Sequence, residues 1–324
     1  MTAPGLAVGI DVGGTKIATL LVDRDGRVLA RDVRPTPADD QDATLAAMTE
    51  GVRALPTDEA VAVGVSAAGL IDRGGVMRFS PNLAWRDVPL AAHTRQALGL
   101  PTTAENDNNA AAGGVFRYGA GRGSRALLLV GVGTGIGGGI VLDGHLYHGA
   151  AGFAGEIGHI VLQPGGPLCG CGNRGCWERL GSGSAITEGG AGAIERHPYS
   201  LLVDMSGGDP ARVTGPMVSE AARGGDRVAM GVLVEAGRWL GVGIAGLVNV
   251  LDPDVVVVGG GAAGAGDLLL DPTRDSCRRH VEAPQRRPDV SIVPAFLGND
   301  AGAIGAASLA FELLDGGEPR GTPA

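Results

Sequence analysis

Residues 6–22 read Leu-Ala-Val-Gly-Ile-Asp-Val-Gly-Gly-Thr-Lys-Ile-Ala-Thr-Leu-Leu-Val. The apolar runs on both sides of the polar stretch 11–16 predict two strands joined by a glycine hairpin, and a turn at Asp25-Gly26 leads to a third strand over 27–33. In a Rossmann or P-loop protein the glycine turn would lead into a helix, so this meander disfavours both folds. The hairpin can bind phosphate through backbone N–H groups, and Asp11 can hold Mg²⁺, although an ordinary tight turn is an alternative.

The same pattern recurs more than a hundred residues later. Residues 126–130 are apolar, 131–139 read Gly-Val-Gly-Thr-Gly-Ile-Gly-Gly-Gly, and a second apolar run ends at the turn Asp143-Gly144. The repeat predicts two similar domains that face each other, with a nucleotide polyphosphate between the two hairpins. A third glycine loop, 259–261, follows a buried-strand run and is typical of a nucleotide pocket. The alternative is that the three glycine loops are unrelated turns.

Three of the four cysteines lie within eight residues, at Cys169, Cys171 and Cys176, and His159 lies ten positions upstream. Three thiolates and one imidazole can complete a tetrahedral zinc shell, and such a closed site indicates structure rather than activation of water. A disulfide is disfavoured because thiols one residue apart form a strained pair and the count is odd.

Two acids flank this predicted zinc site. His159 ends the stretch Glu156-Ile-Gly-His, and Glu178 follows the last cysteine by two residues. The metal would therefore hold a loop that presents two carboxylates and an imidazole to a polar ligand. The alternative is a zinc knuckle with unrelated acids nearby.

Residues 105–109 read Glu-Asn-Asp-Asn-Asn and precede an alanine-rich helix. An N-cap explains one of them, and Asn108 or Asp107 could serve. The functional hypothesis makes Asp107 a general base facing a substrate hydroxyl, with Asn106 bonded to a neighbouring hydroxyl. Asn82, which follows a proline, is a plausible hydrogen-bonding residue in a loop, and a turn role is the alternative.

Composition narrows the class of protein. The 324 residues suit two domains, and a formal charge of −9 argues against a nucleic-acid surface. We expect no transmembrane helix and no secretory signal, and the clustered cysteines fit a reducing cytoplasm. The glycine- and proline-rich tail after Asp315 is expected to be disordered.

The four motifs 11–16, 133–137, 156–159 and 169–178 resemble those of the ROK family, which comprises bacterial sugar kinases and related repressors within the actin-like sugar kinase superfamily. The resemblance spans Leu6 to about Ala307, and the branch most similar to the chain is the bacterial ATP-dependent glucokinase. It implies an α/β, two-domain actin-like (ribonuclease H-like) ATPase fold with an interdomain cleft. The implied domains are 1–119 plus 304–324, and 120–303 with the zinc motif.

The resemblance also implies roles for individual residues. Asp107 would be the catalytic base. The implied sugar-binding residues are Gly69, Asn82, Asn106, Asp107, Glu156, His159 and Glu178. The implied Mg²⁺, phosphate and nucleotide residues are Asp11, Gly13, Gly14, Thr15, Lys16, Gly133, Thr134, Gly135, Gly259, Gly260 and Gly261. Structural zinc would be held by His159, Cys169, Cys171 and Cys176. Ala67-Ala68-Gly69 departs from the Pro-Gly turn that is common in the family, which leaves the loop on the sugar side in doubt.

The expected function is ATP-dependent phosphorylation of a hexose, glucose first, at its 6-hydroxyl, by a cytoplasmic homodimer or homotetramer that binds neither nucleic acid nor membrane. N-acetylglucosamine, N-acetylmannosamine and fructose are alternative substrates, and polyphosphate is an alternative donor. A sugar-responsive repressor of the same family is disfavoured, because its helix-turn-helix domain would precede a hairpin that here begins close to Met1. A sugar-binding protein without turnover is disfavoured because it needs neither Asp107 nor the two Gly-Thr loops.

Overall fold

The computed structural model describes residues 5–316 of the chain. These residues divide into two compact units, the first made of 5–124, 139–155 and 296–316, the second of 125–138 and 156–295. The first unit thus includes 139–155, a segment that the sequence analysis places in the second domain. The predicted domain limits, 1–119 plus 304–324 and 120–303, stay a prediction. Most of the tail expected to be disordered lies outside the described residues.

The first unit is built on a five-stranded sheet. Its strands are β1 (Leu6–Val12), β2 (Lys16–Val22), β3 (Val28–Pro35), β4 (Ala60–Ala67) and β8 (Thr102–Asn106), in the order β3-β2-β1-β4-β8. The first three strands form the predicted antiparallel meander. Strands β4 and β8 continue the sheet parallel to β1, so that three carboxyl ends meet at one edge. A small antiparallel sheet consists of β5 (Leu70–Ile71), β6 (Met77–Phe79) and β7 (Arg86–Val88).

A second five-stranded sheet repeats this topology. Its strands are β9 (Leu127–Val132), β10 (Ile136–Leu142), β11 (His145–Leu146), β12 (Val255–Gly259) and β13 (Ser291–Pro294), in the order β11-β10-β9-β12-β13. Position for position this is the order of the first sheet, and β12 is parallel to both β9 and β13. The duplicated strand order confirms the predicted actin-like, ribonuclease H-like α/β class.

Ten helices lie in the described part of the chain: α1 (Gln41–Arg53), α2 (Leu90–Leu98), α3 (Asp107–Tyr118), α4 (Glu178–Gly181), α5 (Gly183–Ile194), α6 (Leu201–Ser206), α7 (Gly215–Arg223), α8 (Arg227–Leu251), α9 (Asp267–His280) and α10 (Ala301–Leu314). Short 3-10 turns occur at Ile157–His159, Pro210–Arg212, Gly261–Ala265 and Gly298–Asp300. The last of these helices, α10, begins directly after Asp300.

Helix α10 lies close against the first sheet because the sheet offers two glycines there. A Cβ at Gly9 would overlap the carbonyl oxygen of Ala303, and one at Gly64 would overlap that of Ala306. The bare backbone of β1 and β4 thus accepts the backbone of the helix. This packing sets the amino end of α10 beside the carboxyl end of β1.

Helix α8 is long and apolar enough to cross a membrane by length and composition alone, although the sequence analysis expected no such helix. Half of its most apolar window is buried inside the structure. Gly237 and Gly241 face the backbone of α9, since a Cβ at Gly237 would come within 2.8 Å of the Leu269 carbonyl oxygen. We interpret α8 as a core helix of the second unit, because a buried core helix passes the same test of length and composition.

Candidate active site

The carboxyl edge of the first sheet gathers the polar residues of the first unit. The parallel register places Asp11 opposite Ser66 and Ser66 opposite Glu105, with Asn106 one position further along β8. Ser66 Oγ donates to Asp11 Oδ1 at 2.6 Å. The strand ends therefore bring Asp11 and the Asn106–Asp107 step to one side of the sheet, although Asp11 and Asn106 are 95 positions apart in the chain.

Asp11 is in an environment that disfavours its negative charge. Burial raises the pKa of this carboxyl to about 6, the bond from Ser66 opposes the rise, and the nearby charges of Asp107 and Asp300 add to it. A carboxylate in such a site gains from a cation, and Mg²⁺ prefers oxygen ligands. The side chain thus fits the role predicted for it.

One hydrogen bond closes the hairpin between β1 and β2, and a second ties it to the segment after β3. Gly13 N–H donates to the Lys16 carbonyl at 3.0 Å, and Thr36 Oγ1 donates to the Gly13 carbonyl at 2.7 Å. A Cβ at Gly14 would stand 3.1 Å from Asn82 Cβ, so the predicted phosphate hairpin and a predicted sugar-binding residue are neighbours. Thr15 and Lys16 are exposed at its tip.

Asp107 is the first residue of α3. The N-cap is Asn106, not Asn108 or Asp107, because Asn106 Oδ1 accepts the N–H groups of Asn108 and Asn109. Asp107 Oδ1 accepts from the backbone and side-chain nitrogens of Asn108 at 2.9 and 3.1 Å. Burial raises the pKa of Asp107 and these bonds oppose the rise. A carboxyl with a raised pKa at a helix N-terminus fits a general base.

Gly69 contacts the side-chain amide nitrogen of Asn106. Its carbonyl accepts from Asn106 Nδ2 at 3.1 Å. Its φ of +143° strains any other residue, and a Cβ would overlap the Phe79 carbonyl oxygen. The backbone conformation therefore requires glycine at position 69, although Ala67-Ala68-Gly69 differs from the Pro-Gly turn that is common in the family.

Both glycine loops of the second unit leave one sheet edge. β12 ends at Gly259, which is opposite Gly131 of β9, and the loop 133–135 follows β9 directly. Gly260 has a φ of +83°, and Gly261 begins a 3-10 turn. The N–H of Gly183, at the start of α5, donates to the Gly133 carbonyl at 2.8 Å and fixes the loop. The structure thus brings together the two segments predicted to hold the nucleotide and its phosphates.

The predicted zinc ligands converge. The candidate ligand atoms of His159, Cys169, Cys171 and Cys176 all lie within 4.8 Å of one another. The Cys171 and Cys176 sulfurs are 3.6 Å apart, and His159 Nδ1 is 3.6 Å from Cys169 Sγ. Tetrahedral zinc with bonds of about 2.3 Å needs sulfur atoms about 3.8 Å apart. The set fits zinc, and 3.6 Å is too long for a disulfide.

The pKa values of the three thiols also indicate a role for a bound cation. Burial raises the pKa of Cys169 to about 12 and raises that of Cys176, whereas a backbone N–H of Asn173 lowers that of Cys171. Two buried thiols are thus poor thiolates by themselves, and a bound cation would supply the opposite charge.

The two predicted sugar-binding acids of the second unit flank the imidazole. Glu156 Oε2 is 3.9 Å from His159 Nε2, and Glu178 Oε1 is 3.7 Å from His159 Nδ1. Since Nδ1 faces the thiols, Nε2 is the nitrogen left for a ligand. Trp177, buried between Cys176 and Glu178, donates Nε1–H to the Trp239 carbonyl of α8 at 2.9 Å. This bond fixes the zinc loop and Glu178 to the core.

Four residues near these sites carry roles that the sequence analysis did not assign. Ser66 bonds Asp11, Asp300 adds charge beside Asp11 and pairs with Arg31, and Glu105 contacts His148. The strand register and the packing of α10 bring Ser66, Glu105 and Asp300 to the site, and the placement of 139–155 in the first unit brings His148. The sequence carries no local pattern that signals them.

Comparison with known proteins finds similarity to glucokinases and to a sugar repressor. Residues 7–312 match the ROK family. The chain is 42% identical over 314 residues to a glucokinase of Streptomyces coelicolor, which covers 95% of this chain and 98% of the relative. It resembles the crystal structure of a ROK family glucokinase from Streptomyces griseus in complex with glucose and AMPPNP, with a TM-score of 0.85, 41% identity and coverage of 94% and 99%. A more distant relative, the xylose repressor of Bacillus subtilis, is 27% identical over 95% of this chain and 77% of the repressor.

Proposed function

Because the chain belongs to the ROK family, we propose that it phosphorylates glucose with ATP, giving glucose 6-phosphate and ADP. The observation that carries this function is the 42% identity to a glucokinase over 95% of the chain. The geometry supports it, since Asp107 is a carboxyl of raised pKa at the start of α3, on the same sheet edge as the Asp11 carboxyl.

In this proposal Asp107 is the general base. Its carboxylate takes the proton of the sugar 6-hydroxyl while that oxygen forms a bond to the γ-phosphorus of ATP. The bond from the γ-phosphorus to the bridging oxygen breaks, and ADP leaves with the electron pair. General-base help of this kind is worth about 10²–10⁴-fold, and positioning and charge neutralisation supply most of the rest.

The sugar would be held through contacts with its hydroxyl groups. A carboxylate such as Glu156 or Glu178 accepts hydrogen bonds from vicinal hydroxyls, and charged bonds are stronger than neutral ones. His159 would donate from Nε2, with its tautomer fixed by a metal at Nδ1. The remaining residues proposed for the sugar are Gly69, Asn82 and Asn106.

Asp11 would hold Mg²⁺, which neutralises phosphate charge when it is bound. The backbone of residues 13–16 and 133–135 would hold the phosphates, and 259–261 would approach the nucleoside. The four candidate zinc ligands form a closed set, so a zinc ion held there would be structural and would keep His159 and Glu178 in place.

Other hexoses are the alternative substrates. N-acetylglucosamine, N-acetylmannosamine and fructose share hydroxyls with glucose, and the proposed residues contact those hydroxyls. A sugar-responsive repressor is the alternative from another class, and the lower identity of 27% to the xylose repressor disfavours it.

A coupled assay over a panel of hexoses and amino sugars, with ATP or polyphosphate as donor, tests the proposal. We expect the highest kcat/KM with glucose and ATP. A higher kcat/KM with an amino sugar or with fructose would mean that this sugar, and not glucose, is the preferred substrate. No turnover with any sugar, together with sugar-dependent binding to operator DNA, would favour the repressor.

We further propose that the enzyme is a cytoplasmic homodimer or homotetramer. The chain has four cysteines, and three of them belong to a candidate Cys₃His metal set, which fits a reducing compartment. Multi-angle light scattering of the purified zinc-loaded protein measures the assembly, and a monomer mass would contradict this part of the proposal.

A further inference from the structure

A buried carboxylate, that of Glu105, lies directly before the proposed base in the chain. Glu105 is only 1% exposed. Its Oε1 accepts from the backbone N–H of Asn106 at 2.9 Å and from Asn109 Nδ2 at 3.1 Å. Its Oε2 lies 2.9 Å from His148 Nε2. All four residues belong to the first unit, so one carboxylate joins the first turn of α3 to the segment after β11.

The two donors on Oε1 flank Asp107. Asn106 precedes it as the N-cap, and Asn109 follows it in the first turn of the helix. Glu105 therefore fixes the backbone on one side of Asp107 and a side chain on the other. Because the Asp107 carboxylate is bonded within this same turn, to Asn108, a shift of the turn would move the base with it.

His148 contacts Oε2, the second oxygen of the Glu105 carboxylate. A carboxylate in the interior is costly unless its oxygens are hydrogen-bonded or paired. His148 supplies a partner when Nε2 carries a proton. Its own segment is held in turn, because Arg73 donates to the Gly149 carbonyl from Nε at 3.1 Å and from Nη2 at 2.9 Å. The imidazole is thus kept against Glu105 by the backbone next to it.

We propose that Glu105 and His148 are positioning residues for phosphoryl transfer. They hold Asn106 and Asn109 and thereby keep Asp107 in the geometry that accepts the hydroxyl proton. The inference rests on the proposed function, because it concerns the placement of the proposed base. A misplacement of about 1 Å in a catalytic group can cost about 10²-fold in rate.

A purely structural role for the pair makes a different prediction. It would lower the melting temperature and the yield of folded protein but leave kcat per folded molecule unchanged. A positioning role lowers kcat in protein that is folded and still binds glucose.

The test compares Glu105→Gln, His148→Gln and the double variant in the full chain. Glu59→Gln and His93→Gln are the matched controls, since both residues are exposed in the first unit. We expect kcat to fall about 10- to 100-fold in each single variant, with a smaller change in the KM for glucose. The double variant should lose little more than the worse single variant, because both changes break one network. A kcat within about twofold of the wild type in folded Glu105→Gln and His148→Gln protein overturns the proposal.

Hydrogen exchange gives a second readout that needs no turnover. We expect faster amide exchange in the peptide that contains Asn108 and Asn109 for both variants and not for the controls. Unchanged exchange overturns the inference even if Glu105→Gln alone fails to fold, because His148 is partly exposed and His148→Gln is the milder change. Wild-type protein that phosphorylates no hexose would instead defeat the proposed function, while the exchange result would still show whether the pair holds the first turn of α3.

Discussion

Cys169 donates its thiol hydrogen to Glu178 Oε1 at 2.9 Å, so a residue predicted to bind zinc and an acid predicted to bind sugar are direct neighbours. The same carboxylate oxygen lies 3.7 Å from His159 Nδ1. Zinc held by Cys169 would displace the thiol proton and so change what Glu178 contacts. The metal site and the sugar-binding acids of the second unit should therefore respond together.

Cys171→Ala should lose zinc and weaken glucose binding in the same protein. Cys171 is the exposed cysteine of the cluster, and its removal leaves three ligands. His159 then loses its fixed tautomer and Glu178 its fixed neighbour. Metal analysis and glucose titration by calorimetry measure the two effects, with Cys277→Ser as the control outside the cluster. Unchanged glucose affinity in metal-free protein would separate the zinc from the sugar site.

The sequence predicted those parts of the fold that short stretches determine. The hairpin before Lys16 and the strand ending at Gly259 are local patterns of apolar runs and glycines, and both are present. The N-cap of α3 was predicted wrongly, because several adjacent side chains can cap a helix and the choice depends on where β8 ends. The sequence of a polar run does not by itself determine which of its residues becomes the N-cap.

Contacts that join distant segments could not be predicted. Ser66 meets Asp11 through the register of β1 and β4, and Glu105 meets His148 through the placement of 139–155 in the first unit. A single sequence gives strand identities but not which residues pair across them. The zinc set was the exception, since the types and spacing of its four residues define the site chemically.

Asp107→Asn should retain glucose binding and lose turnover. The amide keeps the size of the side chain but cannot take the hydroxyl proton, so kcat should fall about 10²–10⁴-fold. Stopped assays for rate and calorimetry for glucose affinity measure the two quantities. Asp39→Asn, an exposed aspartate of the same unit, is the control. Turnover near the wild-type rate would remove Asp107 from the role of base.

The pH profile of kcat/KM should fall on its acid side at a pH above the ordinary aspartate range. Burial raises the pKa of Asp107. The base works only when it is deprotonated, so activity is full above that raised pKa and is lost as the pH falls through it. Initial rates at saturating Mg·ATP over the acid range measure this limb. If the residual rate of Asp107→Asn kept the same acid limb, another group would be responsible.

Gly135→Ala should weaken the binding of both glucose and ATP. A Cβ at Gly135 would overlap Glu178 Oε2, so the loop predicted to hold phosphate and the acid predicted to hold sugar cannot both keep their positions. The KM for each substrate should therefore rise, whereas a change confined to the phosphate loop would raise only that for ATP. Gly192→Ala in α5 is the control, because a Cβ there has no described heavy atom within 4 Å. Steady-state kinetics with each substrate varied in turn measure both constants, and an unchanged KM for glucose would mean that Glu178 does not bind the sugar from this position.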